Sequence, residues 1–228
     1  MVKEVGEKNT KFKLPVFAKG LCFYKLFWIF FVGCVLGVLA ESLYCFLLFG
    51  KFEIRWGVIY GPFNPVYGFG IVIMTILLLK ISKLSNLKVF LFSAFLGGVY
   101  EYFCSFFQEF FLGTISWNYK GTFLNFGGRT NFTYSLCWGL LGLFWIRLTY
   151  PKISNWIESF PAKLGRLSTW VLFFFMLLNI FFSSAAVWRY SRRCQGIEPK
   201  SSFEVFLDKH FKDDLISFAY PNMVVAER

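Results

Sequence analysis

The sequence predicts an all-α fold: a polytopic membrane helix bundle of about five transmembrane helices, with a possible parallel repeat of two helix-loop-helix units. Hydrophobic residues make up 57% of the chain and charged residues 16%, against about 25% charged in ordinary soluble domains. A span needs about 20 mainly apolar residues to cross a hydrocarbon core of about 30 Å. Five runs approach that length: Phe27 to Phe49, Phe63 to Leu79, Val89 to Leu112, Tyr134 to Ile146 extended to about Tyr150, and Leu167 to Val187. Two of these runs carry a glutamate at matched positions, and a carboxylate inside a bilayer costs roughly 3 kcal/mol, so it is rarely there without a use.

The matched stretches read Leu36, Gly37, Glu41, then Gly61, Asn64 and Tyr67, and again Leu96, Gly97, Glu101, then Gly128, Arg129, Thr130, Asn131 and Tyr134. Each copy is a span, a connection and a returning span, so both have the same orientation. That predicts a repeat related by an axis along the membrane normal, with halves at about 27–82 and 89–150. The expected division is a basic arm over 1–25, a bundle over 26–190 and a polar tail over 191–228.

The net charge of +11 would suggest nucleic acid in a soluble chain, but its placement follows membrane orientation instead. Lys3, Lys8, Lys11, Lys13, Lys19 and Lys25 lie in the arm, Lys80, Lys83 and Lys88 in the second connection, and Arg147, Lys152, Lys163 and Arg166 in the fourth. The first and third connections hold only Lys51, Arg55, Lys120 and Arg129. The N-terminus is therefore expected in the cytoplasm and the tail outside, where Arg189, Arg192 and Arg193 would need acidic partners. The apolar run after the arm is too long for a signal peptide and lacks a small-residue cleavage site, so it reads as a retained span.

Gly33, Gly37 and Glu41 fall at steps of four, which puts two glycines and the carboxylate on one helix face. Ser93, Gly97 and Glu101 repeat this, and Ser105, Gln108 and Glu109 continue it. Small residues admit a neighbouring backbone, so the glutamates are expected at helix contacts rather than facing lipid. The connections over 50–70 and 113–134 are dense in glycine and proline and are expected to fold into the bundle mouth, where irregular backbone survives at membrane depth. Arg55 and Arg129 stand one in each connection, positioned to neutralise a glutamate or to hold an anion. The tryptophans and tyrosines there also fit an interfacial belt.

Cys22, Cys34, Cys45, Cys104, Cys137 and Cys194 show no metal-ligand spacing and read as small buried hydrophobes. Asn131, Phe132 and Thr133 match a glycosylation pattern but lie too close to a span for it. In the tail, Ser201 and Glu204 have capping-box spacing. Phe203, Phe206, Leu207, Phe211, Leu215 and Phe218 recur at helical intervals, predicting an amphipathic helix of about 16 residues. His210 reads as an ordinary surface or interfacial residue.

These residues resemble the ABC-transporter type IV family, the CmpB-like bacterial membrane proteins. The first block of the resemblance is Gly37, Glu41, Arg55, Gly61, Pro62, Pro65, Tyr67 and Gly68. The second is Glu101, Tyr102, Ser105, Glu109, Trp117, Tyr119, Asn125, Gly128, Arg129, Ser135, Trp138 and Gly139. It covers about 25–145 and departs from the pattern at Trp56, where glycine is expected, and at Asn118, where aspartate is expected. The resemblance implies a transport permease in the cell membrane. On the transport reading the expected substrate site is Glu41, Arg55, Glu101, Glu109, Asn125 and Arg129, supported by Gly37, Gly61, Pro62, Tyr67, Ser105, Trp117, Ser135 and Trp138.

Three functions compete. A permease subunit would use the carboxylates and arginines between its halves; the sequence has no phosphate-binding loop, so an ATPase would be a separate subunit. An intramembrane enzyme acting on a lipid or isoprenoid phosphate would use a glutamate as acid or base and the arginines as phosphate ligands. A non-catalytic assembly factor would need neither. The bilayer, an ATPase subunit and a second copy are the expected partners; nucleic acid, a cofactor and a metal are not expected.

Overall fold

The computed structural model describes residues 16–226, so Lys3, Lys8, Lys11 and Lys13 lie outside the described residues. The fold is mostly helical. Helix α1 (Phe23–Phe49), α3 (Asn86–Phe107, prolonged by a π-helical turn to Leu112) and α6 (Ala162–Cys194) are long and apolar enough to cross a membrane, and α2 (Pro65–Ile81) is a shorter apolar helix.

The fourth expected span differs. Helix α4 (Phe132–Phe144) passes into a π turn, Trp145–Thr149, and then into α5 (Tyr150–Glu158), so its regular part is only 13 residues. Pro151 has no N–H to donate and its ring clashes with the carbonyl four residues back, which explains why the regular ladder gives way just before it. The fifth expected run grows to 33 residues in α6, about 50 Å at 1.5 Å per residue, longer than the hydrocarbon core.

Two helix pairs form the body. In the first, α1 lies against α2 with almost no space between: a Cβ on Gly37 would overlap the Tyr67 ring, and one on Gly33 would meet Ile71. In the second, α3 lies against α4, where Gly97 faces the Trp138 side chain, Gly98 faces Ser135, and Gly142 faces Ser93. Asparagines start both returning helices: Asn64 accepts from Val66 N at 3.1 Å, and Asn131 from Tyr134 N at 2.8 Å. Each satisfies a backbone donor left open at a helix N-terminus. The π turn after α4 is tied to α2 by Trp145 Nε1, which donates to Thr75 Oγ1 at 2.8 Å.

Helix α6 braces the first pair. Trp28 Nε1 donates to Thr169 Oγ1 at 2.9 Å near the start of α6. Farther along, Ser183 Oγ accepts from Ile59 N, while Asn179 both accepts from Tyr60 N and donates to Tyr60 O. Polar side chains of α6 thus complete the irregular backbone of the first connection, as burial requires. At the other end Lys25, fully buried, is not part of a solvated arm: its ammonium meets Glu158 at 2.8 Å and Ser154 Oγ at 2.6 Å, fixing α5 beneath α1.

The fold is not purely helical. Four two-residue strands lie in the third connection and the tail: β1 (Thr114–Ile115), β2 (Asn125–Phe126), β3 (Thr130–Asn131) and β4 (Val224–Val225). Strands β2 and β3 form a hairpin joined by the three residues Gly127, Gly128 and Arg129, and the two glycines have φ of 60° and 71°, left-handed values that glycine adopts without strain in so tight a connection. Strand β4 pairs with β1, with Thr114 opposite Val225. The expected 16-residue tail helix is instead two, α7 (Ser202–His210) and α8 (Asp213–Ala219), broken at Phe211 and Lys212. Leu207, Phe211, Ile216 and Ala219 pack with Ile59 and Ala186, and that packing turns the chain; Phe203, Phe206 and Phe218 stay partly exposed.

Gly97→Val is expected to lower stability by about 1–3 kcal/mol, the usual cost of overpacking, because the added methyls meet Trp138. Phe95→Leu on the exposed face of the same helix is expected to change it by less than about 0.5 kcal/mol. Thermal unfolding of both variants in detergent checks this.

Candidate functional site

Helix pairing within each unit brings the polar residues to one end. Glu101, only 9% exposed, accepts a hydrogen bond from Tyr119 Oη at 2.8 Å and another from Thr130 Oγ1 at 2.8 Å. Thr130 reaches it because Gly97, Gly98 and Gly142 let α3 and α4 approach. Tyr119 is held by stacking on Tyr134, 4.8 Å between centroids, and Tyr134 in turn shares a 3.1 Å hydrogen bond with Tyr44 of α1. Among the described residues no cation pairs with Glu101.

In the first unit Arg55 lies 3.6 Å from Glu41 and bonds Glu53 at 2.7 Å, so Glu41 is the weaker partner. The Tyr67 phenol faces Glu41, with Glu101 also within electrostatic reach. The Tyr67 ring stacks on Trp138 at 6.1 Å, across the boundary between the helix pairs. Tyr67 is thus bonded to one carboxylate and within electrostatic reach of the other.

Arg129 does not neutralise Glu101. Its guanidinium meets Glu109 at 2.5 Å and Ser105 Oγ at 3.3 Å, and lies over the rings of Tyr102 and Phe106. The β2–β3 hairpin presents it, and Trp117 Nε1 clamps the same segment by donating to Arg129 O at 2.9 Å. Beside this pair opens a cavity of about 470 Å³ lined by Ser105, Glu109, Trp117, Lys120, Arg129 and the tail strand at Val225.

Other residues expected in the site serve its frame. The Asn125 side chain donates to Thr122 O and accepts from Gly128 N, shaping the hairpin. Ser135 Oγ donates to Asn131 O. Gly61 has a φ of 87°, and Pro62 is exposed beside it. Asn118 Oδ1 accepts from Lys120 N in a local turn. Asn131 is 5% exposed and engaged as a helix cap, which leaves its amide buried rather than presented for glycosylation. Among the described residues no group of histidine, cysteine, aspartate and glutamate has metal-binding form.

The contribution of the tail to the cavity carries no local signature, because β4 is two residues long and pairs across the whole chain. What anchors it does have one. Arg189, 1% exposed, bonds Asp208 through Nε and Nη2, both at 2.8 Å, and lies 3.6 Å from Glu204. Arg193 adds Asp208 and Asp213. Ser191 Oγ and Ala226 N both donate to Gly113 O, fastening tail and third connection together. The predicted capping serine is present: Ser201 Oγ accepts from Glu204 N at 3.2 Å, while the Glu204 carboxylate accepts from Lys200 N rather than from Ser201. His210 is exposed and turns its ring onto Phe206.

A family model described as Putative ABC-transporter type IV matches residues 28–184, the stretch that holds Glu41, Glu101 and both asparagine-capped helices. The chain belongs to this family. The type IV match takes in both helix pairs, both connections and most of α6, and leaves α7, α8 and β4 outside it. No curated protein and no solved structure matches the chain. With its long apolar helices, this type IV protein is a multi-pass membrane protein.

The hydrogen bonds from Arg189, followed by those from Arg193 and the two positive charges, hold the Asp208 carboxyl below its ordinary value. A depressed carboxyl stabilises docking fully above its unfolded pKa of about 3.9 and loses that contribution as pH falls through the lower folded value. Tail docking is therefore expected to be constant from pH 8 to about 4 and to weaken below that. Asp208→Asn is expected to cost about 3 kcal/mol at neutral pH, since it leaves Arg189 buried without its main partner. Hydrogen exchange over 202–226 checks both.

Proposed function

We propose that this chain is the membrane-spanning subunit of a transport system, and that Glu41 and Glu101 form one polar site between two repeated halves. The observation that carries the proposal is Glu101: buried, held by two hydroxyls, without a cation partner among the described residues, and, like Glu41, within electrostatic reach of Tyr67. A carboxylate kept this way inside an apolar helix pair is available to a proton or a cationic group, which is the use such residues have in membrane transport. Arg129, Glu109 and the cavity beside them form the entrance on the same end, with Arg55 at the margin of Glu41.

The orientation follows from charge. Five crossings put Lys19, Lys83, Lys88, Lys152, Lys163 and Arg166 on the cytoplasmic side. The tail packs with the first and third connections, which supports an external tail. The chain holds no phosphate-binding loop, so an ATPase arrives as a separate subunit. Helix α5, nine residues long and fixed to α1 by Lys25, is the cytoplasmic element such a subunit would grip.

In cells that depend on the protein, Glu101→Gln and Glu41→Gln are expected to abolish its function while insertion and thermal stability in detergent stay near wild type. Thr130→Val is expected to weaken it less, since Tyr119 still donates. Unchanged function in both glutamine variants would overturn the carboxylate site. Purification from native membrane without any nucleotide-binding subunit would overturn the assignment to an ATP-driven system. A lipid that accumulates in the glutamine strains would replace it with an enzyme acting on that lipid.

A further inference from the structure

At the end of the molecule away from Glu41 and Glu101, the π turn that follows α4 carries an arginine, Arg147, that pairs with no carboxylate among the described residues. Arg147 donates through Nε to Asn86 Oδ1 at 3.1 Å, through one terminal nitrogen to the Ser82 carbonyl, and through the other to the Leu84 carbonyl at 2.7 Å. These neutral acceptors fix the guanidinium in place without cancelling its charge. The sequence has no aspartate or glutamate between Glu53 and Glu101, and none between Glu109 and Glu158. Among the described residues no carboxylate pairs with Arg147. Lys83 lies on the same 82–85 turn and Lys88 on the first turn of α3, both exposed. Three cations thus gather with no acid among them.

Next to Arg147 a groove of about 430 Å³ runs along α4, lined by Leu140, Leu143, Phe144 and Leu148, with Asn86 and Arg147 completing it. Leu140, Phe144 and Leu148 fall at steps of four on one helix face and are 61%, 58% and 53% exposed. In a membrane protein such a face meets acyl chains, not water. An apolar trough with cations beside it matches an amphiphile with an anionic head.

We propose that this groove holds one acyl chain of an anionic phospholipid, with the phosphate against Arg147 and the head within reach of Lys83 and Lys88. Arginine has five N–H donors. Three are used here, and one remains on each terminal nitrogen, an arrangement suited to two phosphate oxygens. A zwitterionic lipid brings its own cation into a cluster that has three and no acid, so the site discriminates by headgroup. A free phosphate has no chain to fill the leucine-lined trough, so the occupant is a membrane lipid.

The full-length protein, delipidated in mild detergent, is offered equal amounts of short-chain phosphatidylglycerol and phosphatidylcholine and weighed by native mass spectrometry. Wild type is expected to retain one phosphatidylglycerol in at least about 25-fold preference, about fivefold from each lysine. Lys83→Gln with Lys88→Gln, both at exposed positions, is expected to reduce that preference about fivefold per lysine. Leu140→Trp, which fills the groove from its exposed wall, is expected to abolish retention with an unchanged melting temperature. Equal retention of the two lipids by wild type overturns the proposal. So does phosphatidylglycerol retention that persists in both variants, or its displacement by millimolar inorganic phosphate.

Discussion

The close approach of α3 to α4 is the constraint on which the polar end of the molecule depends. Between apolar helices in lipid there is little hydrophobic gain in association, so packing distance and polar contacts decide which helices pair. Gly97 and Gly142 remove the side chains that would hold α3 and α4 apart, and Trp138 and Ser93 occupy the space they vacate. At that separation Thr130 comes within 2.8 Å of Glu101. A wider gap would leave the carboxylate buried without its hydroxyl donors, at a cost that few helix pairs could offset. The same logic operates at Gly37 and Tyr67 in the other pair, and stacking of Tyr67 on Trp138 then connects the two.

The two ends of the bundle solve different problems. At the end bearing α5, single cations are tied down: Lys25 by Glu158 and Ser154, Arg147 by two carbonyls and an amide. At the other end long irregular connections must bury their backbone, and they do so by borrowing acceptors and donors from α6 and the tail. Asn179 and Ser183 serve the first connection, and β4 and Ser191 serve the third. The extra length of α6 beyond the hydrocarbon core supplies the post to which the tail is fastened through Arg189. The mouth of the cavity is therefore built partly by residues beyond the stretch shared with the family.

Much of this was legible because its signals are local. Apolar run length identified α1, α3 and α6, and the four-residue spacing of Gly37 with Glu41 and Gly97 with Glu101 identified the packing faces. The turn from Asn64 to Pro65 and the cap at Asn131 were visible as matched positions, though not as caps. The fourth run, which ended at about Tyr150, was only partly legible, since hydropathy does not register that α4 gives way to a π turn at Trp145 or that α5 begins where the run ends. The tail misled for a related reason: its helical periodicity is real through His210, but burial of Phe211 against Ile59 and Ala186 breaks the helix.

The sequence by itself determined that the chain is a membrane protein of long apolar helices, which residues are too costly to face lipid, and the family to which it belongs. Those properties follow from composition and from spacing along one helix. Only the tertiary structure decided which partner each charge takes. Arg129 goes to Glu109 and not to Glu101, Arg55 favours Glu53 over Glu41, Lys25 is a buried strut, and the tail arginines find Asp208. Pairing depends on distances between residues far apart in the chain, and those distances are fixed by helix packing and by where irregular connections can satisfy their backbone.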